Sequence, residues 1–208
     1  DAFCFLYQKN KSILNFGNPT ELYDSLWDSY IISAPSGVER NDLERILFAI
    51  AISIRELETL WPVWTPTTVH KAAFTHLASS RAIITNGNSV SFFHQTFYDY
   101  TLARYYTTNN KSFIEELKNE FQGLEIRSTV KAILEYEKGH NESIYIKEVR
   151  ELLNSDKIRL HIKLLAISIL ASTENPNAAE RKLIRDVCTS DVRLLTHFLL
   201  GARSEKWF

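Results

Sequence analysis

Apolar residues return every three to four positions along most of this chain, and in one short stretch they alternate instead. The clearest helical face lies over residues 42–57. There Leu43, Ile46, Leu47, Ile50, Ile54 and Leu57 line one side, and Asn41 or Asp42 stands as the expected cap. Ahead of it, Leu22, Leu26, Trp27 and Tyr30 recur at helical spacing. That helix is expected to start at Thr20 as N-cap, after a turn at Gly17, Asn18 and Pro19. Residues 33–40, with Pro35 and Gly37, read as a loop. Pro62 and Pro66 then forbid helix continuation through Trp61-Pro62-Val63-Trp64-Thr65-Pro66, and Pro66 suits the first turn of the next helix. Residues 67–80 predict that helix, with Val69, Ala73, Phe74 and Leu77 inward.

The period then changes. Ala82 to Thr85 and Ser89 to Phe93 alternate around Asn86-Gly87-Asn88. Asn-Gly is a strong hairpin signal because both central turn positions need positive φ. From His94 to Tyr106 helical spacing resumes, with Phe93, Phe97 and Tyr100 on one side. Helix, helix, hairpin, helix over residues 42–106 is the order of a small helical unit carrying a two-stranded wing, the winged-helix pattern.

Beyond Asn109 strand signals vanish. Apolar faces centred on Phe113, Ile114, Leu117 and Phe121, on Val130, Ile133 and Leu134, and on Ile146, Val149, Leu152 and Leu153 predict successive helices. Further faces follow at Ile162, Leu165, Ile169 and Leu170, at Leu183, Ile184 and Val187, and at Leu195, Phe198 and Leu199. Val149-Arg150-Glu151-Leu152-Leu153-Asn154-Ser155-Asp156 aligns with Ile184-Arg185-Asp186-Val187-Cys188-Thr189-Ser190-Asp191. Each block is expected to end one helix and to offer Ser-Asp as the cap of the next. A helical period of this size marks an α-solenoid of the HEAT or armadillo kind. The expected fold is therefore mainly α. Residues 1–41 form a helical linker or lid, 42–108 a winged-helix-like domain with its small β-hairpin, and 109–208 a helical-repeat domain.

Composition narrows function chiefly by exclusion. The 208 residues hold 24 Lys and Arg against 25 Asp and Glu, so no global basic field draws nucleic acid. The predicted helix 67–80 has Lys71 as its one formally charged residue, and a duplex-binding face would have to be assembled from distant positions such as Lys71, Arg81 and Arg104. Cys4 and Cys188 lack any CxxC spacing, so neither a zinc ribbon nor a disulfide framework is expected, and a cytoplasmic setting fits. The longest apolar run, 46–54, is too short to span a bilayer, so no membrane is expected among the partners. No charged leader stands at Asp1 and no initiator Met is present, which reads as a piece of a longer chain. P-loop, HExxH, GxSxG and GxGxxG motifs are all missing, so the chain itself is not expected to be an enzyme. The six histidines include no pair at i, i+3 or i+4, so no helical metal site is expected.

His94 is the one candidate site residue. It stands where the wing's second strand becomes a helix, where free backbone N–H groups and the positive end of the helix dipole collect. An imidazole there either caps the helix or donates to a phosphate.

The stretch Val90-Ser91-Phe92-Phe93-His94-Gln95-Thr96-Phe97-Tyr98-Asp99-Tyr100-Thr101-Leu102-Ala103-Arg104-Tyr105-Tyr106 resembles a motif of STAND-class NTPases. It is similar to the end of the winged-helix domain in NACHT proteins: an aromatic pair, His, Phe three residues on, an acid, an aromatic, then a small residue beside Arg. Phe92, Phe93, His94, Phe97, Asp99, Tyr100, Ala103 and Arg104 supply that order. Tyr98, where animal receptors favour Gln, tilts the likeness toward the prokaryotic defence and signalling branch. The resemblance implies that His94 contacts the β-phosphate of ADP in a closed, inactive state. With no P-loop, the nucleotide, ADP or ATP, is expected only in a full-length protein and not as a cofactor of the fragment. The expected partners are then an upstream NTPase domain of the same protein, and a protein trigger or further copies of itself. The competing expectation is a helical-repeat scaffold for protein partners, with no nucleotide role and with an aromatic groove near Tyr105, Tyr106, Tyr136 and Tyr145.

Overall fold

A computed structural model describes residues 19–32, 34–188 and 191–208. The expected turn residues Gly17 and Asn18, together with Cys4 and Ser190, lie outside that range, as do the side chains of Val69 and Cys188. Among the described residues the fold is mainly helical, with ten α-helices and one two-stranded antiparallel sheet. The chain divides into two compact units, one ending at Leu102 and one running from Ala103 to Phe208. None of the described helices is long and apolar enough to cross a membrane.

The first unit opens with α1, Pro19–Ile32, and α2, Arg40–Glu56. Thr20 is not the cap of α1, because helical backbone already begins at Pro19, whose fixed φ suits a first turn. Glu39, whose side chain makes no capping bond, precedes α2, so Asn41 and Asp42 lie inside its first turn. The predicted stripe of α2 holds from Leu43 to Ile54, all buried. Leu57, past the helix end, is 62% exposed. A 3-10 turn, Thr68–His70, leads into α3, Lys71–Ser79, so helical backbone starts two residues beyond Pro66.

Strands β1, Ile83–Asn86, and β2, Ser89–Phe92, pair with Ile83 opposite Phe92 and Asn86 opposite Ser89. The two-residue loop is therefore Gly87 and Asn88, and of these two only Gly87 has positive φ, at 59°. The expected Asn-Gly turn is displaced by one residue, with a single left-handed position that glycine fills without strain. A third segment joins β2. Val63 bridges Ser89, the Val90 N–H donates to the Pro62 carbonyl at 3.1 Å, and the Trp64 N–H donates to the Asn88 carbonyl at 2.9 Å. Ile83, Val90 and Phe92 turn inward from the hairpin. Helix α4, Gln95–Thr108, follows at once and runs on past Leu102.

The second unit contains α5, Phe113–Leu117, α6, Ile126–His140, and α7, Glu142–Asn154. After them come α8, Leu160–Ala171, α9, Ala178–Cys188, and α10, Val192–Gly201. Each helix packs on the next but one: α6 on α8 on α10, and α5 on α7 on α9. Polar contacts repeat in step with this alternation. The Ile114 N–H donates to Glu148, Lys118 pairs with Glu151, and Gln122 donates to the Lys157 carbonyl. Lys138 donates to Thr173, Asn177 to Glu142, and Arg150 to Asp186. The Trp207 ring N–H donates to the Thr173 carbonyl. These partners stand 33 to 36 residues apart.

Three expectations are corrected here. Asp191 does cap α10, accepting from the Arg193 N–H at 2.9 Å, but Ser155 and Asp156 do not cap α8. Arg159 precedes that helix with no side-chain bond, and the Ser155 hydroxyl instead accepts from the Lys157 N–H at 3.3 Å. Phe121 lies past the end of α5, is 73% exposed, and is covered on one side by the Arg159 guanidinium. On α10 the buried residues are Leu194 and Phe198, while Leu199 faces out, so the inward face is rotated by one position.

Candidate functional site

In the first unit the site is built on an aromatic cluster. Phe97, fully buried, has its ring centroid 5.1 to 6.2 Å from those of Tyr23, Trp27, Tyr30, Phe92, Phe93 and Tyr100. Rings at these separations, mostly tilted or edge-on, add attraction beyond the area they bury. The Tyr100 hydroxyl donates to Asp24 at 2.6 Å, tying α4 to α1 at a second point. Of the other residues carrying the motif, Phe92, Asp99, Tyr100 and Ala103 are buried. Phe92 and Tyr100 pack on Phe97 and hold the start of α4 in place.

His94 is exposed, immediately before α4. The Thr96 backbone N–H donates to His94 Nδ1 at 3.2 Å, and the Thr96 hydroxyl lies 2.8 Å from the same nitrogen. A nitrogen that accepts from a backbone N–H carries no proton, so the neutral ring holds its hydrogen on Nε2. Nε2 makes no hydrogen bond among the described residues. The capping role and the donor role are therefore compatible, one on each ring nitrogen. The backbone amides contribute less than expected. The Phe97 and Tyr98 N–H groups both point to the His94 carbonyl, at 3.1 and 3.2 Å, and that of Thr96 serves the ring. Any anion contact here falls chiefly on Nε2–H.

The first unit also has an open groove of about 660 Å³ between the 35–38 loop and α3, lined by Pro35, Val38, Lys71, Thr75, His76 and Ser79. His76 Nε2 donates to the Tyr30 carbonyl at 2.9 Å. His94 does not line this groove. Lys71 is the single Lys or Arg of α3.

The second unit buries three carboxyl groups. Glu180 pairs with Lys138 at 2.7 Å and accepts from the Asn177 N–H at 3.0 Å, while the Glu180 N–H donates to the Asn177 side chain, a reciprocal capping box. Glu148 accepts from the Ile114 N–H at 3.2 Å. Its carboxyl is held above the usual range mainly by burial. Glu137 is fully buried, and neither carboxyl oxygen has a hydrogen-bond partner among the described residues. Burial, and then the charge of Glu148, push it up to about 8, so it is protonated at neutral pH. The Tyr145 hydroxyl is likewise buried without a partner and is pushed up by burial, and then by Glu180. Among the described residues no group of three His, Cys, Asp or Glu is placed to hold a metal ion.

Of the four tyrosines expected to line an aromatic groove, Tyr106, Tyr136 and Tyr145 are buried and only Tyr105 is half-exposed. Sequence reasoning singled out His94 but neither Thr96 nor Tyr23, whose hydroxyls bond each other beside it. Thr96 was within reach of a capping argument, two residues on. Tyr23 stands 73 residues from Thr96, a separation no local pattern bridges. No protein-family model matches this chain, and no curated protein does either.

Proposed function

We propose that this chain is the regulatory portion of a STAND-class signalling NTPase of the NACHT kind. Residues 42–108 act as its winged helix, and 109–208 as a HEAT- or armadillo-like α-solenoid that recognises a trigger. The observation that carries the reading is the state of His94: exposed, its ring fixed through Nδ1, its Nε2–H left to donate. A phosphate of ADP, held mainly by an upstream nucleotide-binding core, accepts that one bond in the closed state. The first-turn amides are largely taken up by His94 itself, so this chain supplies a switchable contact and not a nucleotide site of its own. A hydrogen bond to a charged group contributes about 1.5–3 kcal/mol, which biases a closed-to-open equilibrium roughly ten- to hundredfold. A trigger with higher affinity for the open state works against that bias.

The winged-helix reading gains support from the third segment, where Val63 bridges Ser89 at the edge of the two-stranded hairpin. The solenoid reading gains support from contacts between alternating helices whose partners stand 33 to 36 residues apart. The test is made on the protein encoded together with the region upstream of Asp1. A P-loop is expected there, and His94→Ala is expected to lower co-purifying ADP at least tenfold and to raise basal self-association. An upstream region without a P-loop, or unchanged ADP content, overturns the reading.

The second reading is a helical-repeat scaffold for protein partners. It is favoured by Phe121 and Leu124, both at least 70% exposed in one interhelical loop. A partner whose capture is lost in Phe121→Ser and unaffected by His94→Ala would support it.

A further inference from the structure

The Tyr23 hydroxyl meets the Thr96 hydroxyl, and the Thr96 hydroxyl in turn meets His94 Nδ1. The directions of these bonds follow from the chemistry. Nδ1 accepts from the Thr96 backbone N–H, so it is unprotonated and the Thr96 hydroxyl can only donate to it. The Thr96 oxygen is then left to accept, and Tyr23 donates. Hydrogen bonds chained in one direction polarise and strengthen each other. Tyr23 is itself held by ring contacts with Phe97 at 6.0 Å and Tyr100 at 5.6 Å, and its neighbour Asp24 is held by the Tyr100 hydroxyl.

We propose that Tyr23 and Thr96 form a one-way hydrogen-bond relay that fixes the tautomer and orientation of His94, making both of them positioning residues for its phosphate contact. The proposal rests on the reading of His94 given above for its purpose, but not for its geometry. It couples α1 to the site: without the Tyr23 donor the Thr96 hydroxyl still donates to Nδ1, but it is less polarised, and one of the two bonds that orient the ring is weaker. Nothing at α1 need touch the nucleotide for this to work.

The test is nitrogen NMR of the His94 ring in the 208-residue chain at pH 8, where a free imidazole is neutral. The wild type is expected to show Nε2 protonated and Nδ1 as a hydrogen-bonded acceptor. Thr96→Val and Tyr23→Phe are both expected to move the Nδ1 resonance toward its unbonded position and to raise the population of the Nδ1–H tautomer. Thr96→Ser keeps the hydroxyl and is expected to restore the wild-type spectrum. In the protein carrying the upstream core, Thr96→Val is expected to weaken ADP retention about fivefold, the effect of one net hydrogen bond. An Nδ1 resonance that ignores Tyr23→Phe, or a Thr96→Ser spectrum like that of Thr96→Val, overturns the relay. A ring that responds as described, while in the protein carrying the upstream core ADP leaves the His94 resonance unmoved, keeps the relay and removes the nucleotide reading instead.

Discussion

The two units use different glue. The first is organised around one aromatic side chain, Phe97, with six other rings about it. The second repeats a polar device between consecutive helical pairs. In it Gln122 donates to the Leu117 and Lys157 carbonyls and accepts from the Arg159 N–H, all at 2.9 Å or less. A core with one hub concentrates its stability where the hub is, and it holds one neighbouring feature, here the start of α4, in a single place. A core made of repeated contacts spreads stability evenly, so that no single contact dominates.

Four substitutions test this contrast, with Trp27 reporting on the first unit and Trp207 on the second. The largest effect is expected for Phe97→Ala, a loss of about 4 kcal/mol from emptying a fully buried ring site. Chemical denaturation should show the Trp27 transition shifted and the Trp207 transition in place. Equal shifts would mean that the units are not separate in stability.

Glu137→Gln should act in the opposite direction and in the other unit. The folded carboxyl titrates near 8 against an ordinary 4.5. Its penalty is absent below pH 4.5, grows as pH rises from there, and is complete above pH 8. The new amide is left without a partner at every pH, so the variant should stand about 1 kcal/mol below the wild type near pH 4 and about 3 kcal/mol above it at pH 8. Thermal melts across that range check it, and a gain that does not depend on pH would refute it.

Gln122→Ala should cost about 2 kcal/mol, since it removes a donor from the Leu117 and Lys157 carbonyls and the acceptor of the Arg159 N–H. Hydrogen exchange at Arg159 N–H should quicken by more than tenfold. Asn141→Ala, which removes the acceptor for the Ile144 N–H at the start of α7, should cost about 1 kcal/mol and fray only that first turn. A loss as large as that for Phe97→Ala would contradict the even spreading of stability.

Where an element was long and one-sided, its pattern was legible. The stripes of α2, α6 and α7 appear in the structure nearly residue for residue, because their burial follows the helical period. The hairpin was legible from Asn86, Gly87 and Asn88, though its register was off by one, since either pair of these residues suits a two-residue turn. The bridge at Val63 was not legible: Val63 lies beside a proline and makes a single bridge, too short for any alternation. Nor was the exposure of Phe121, since five residues of α5 set no period that continues to it. Glu137 was readable after the fact. It falls seven residues after Val130 and four after Ile133, on the apolar face of α6, where a carboxyl has no solvent to meet. Of the candidate site, His94 was visible as a helix-start residue, and the division of its two nitrogens was not, because that depends on Thr96 and Tyr23 together.

The recurring separation in the second unit also carries a kinetic consequence. The seven cross-contacts named above close loops of 33 to 36 residues, so these closures have nearly the same entropic cost, which depends only logarithmically on loop length. No one closure is then the slow one. Chains within a single population can start folding at different helical pairs and converge, and a nascent chain can secure each pair as soon as about 35 further residues have emerged.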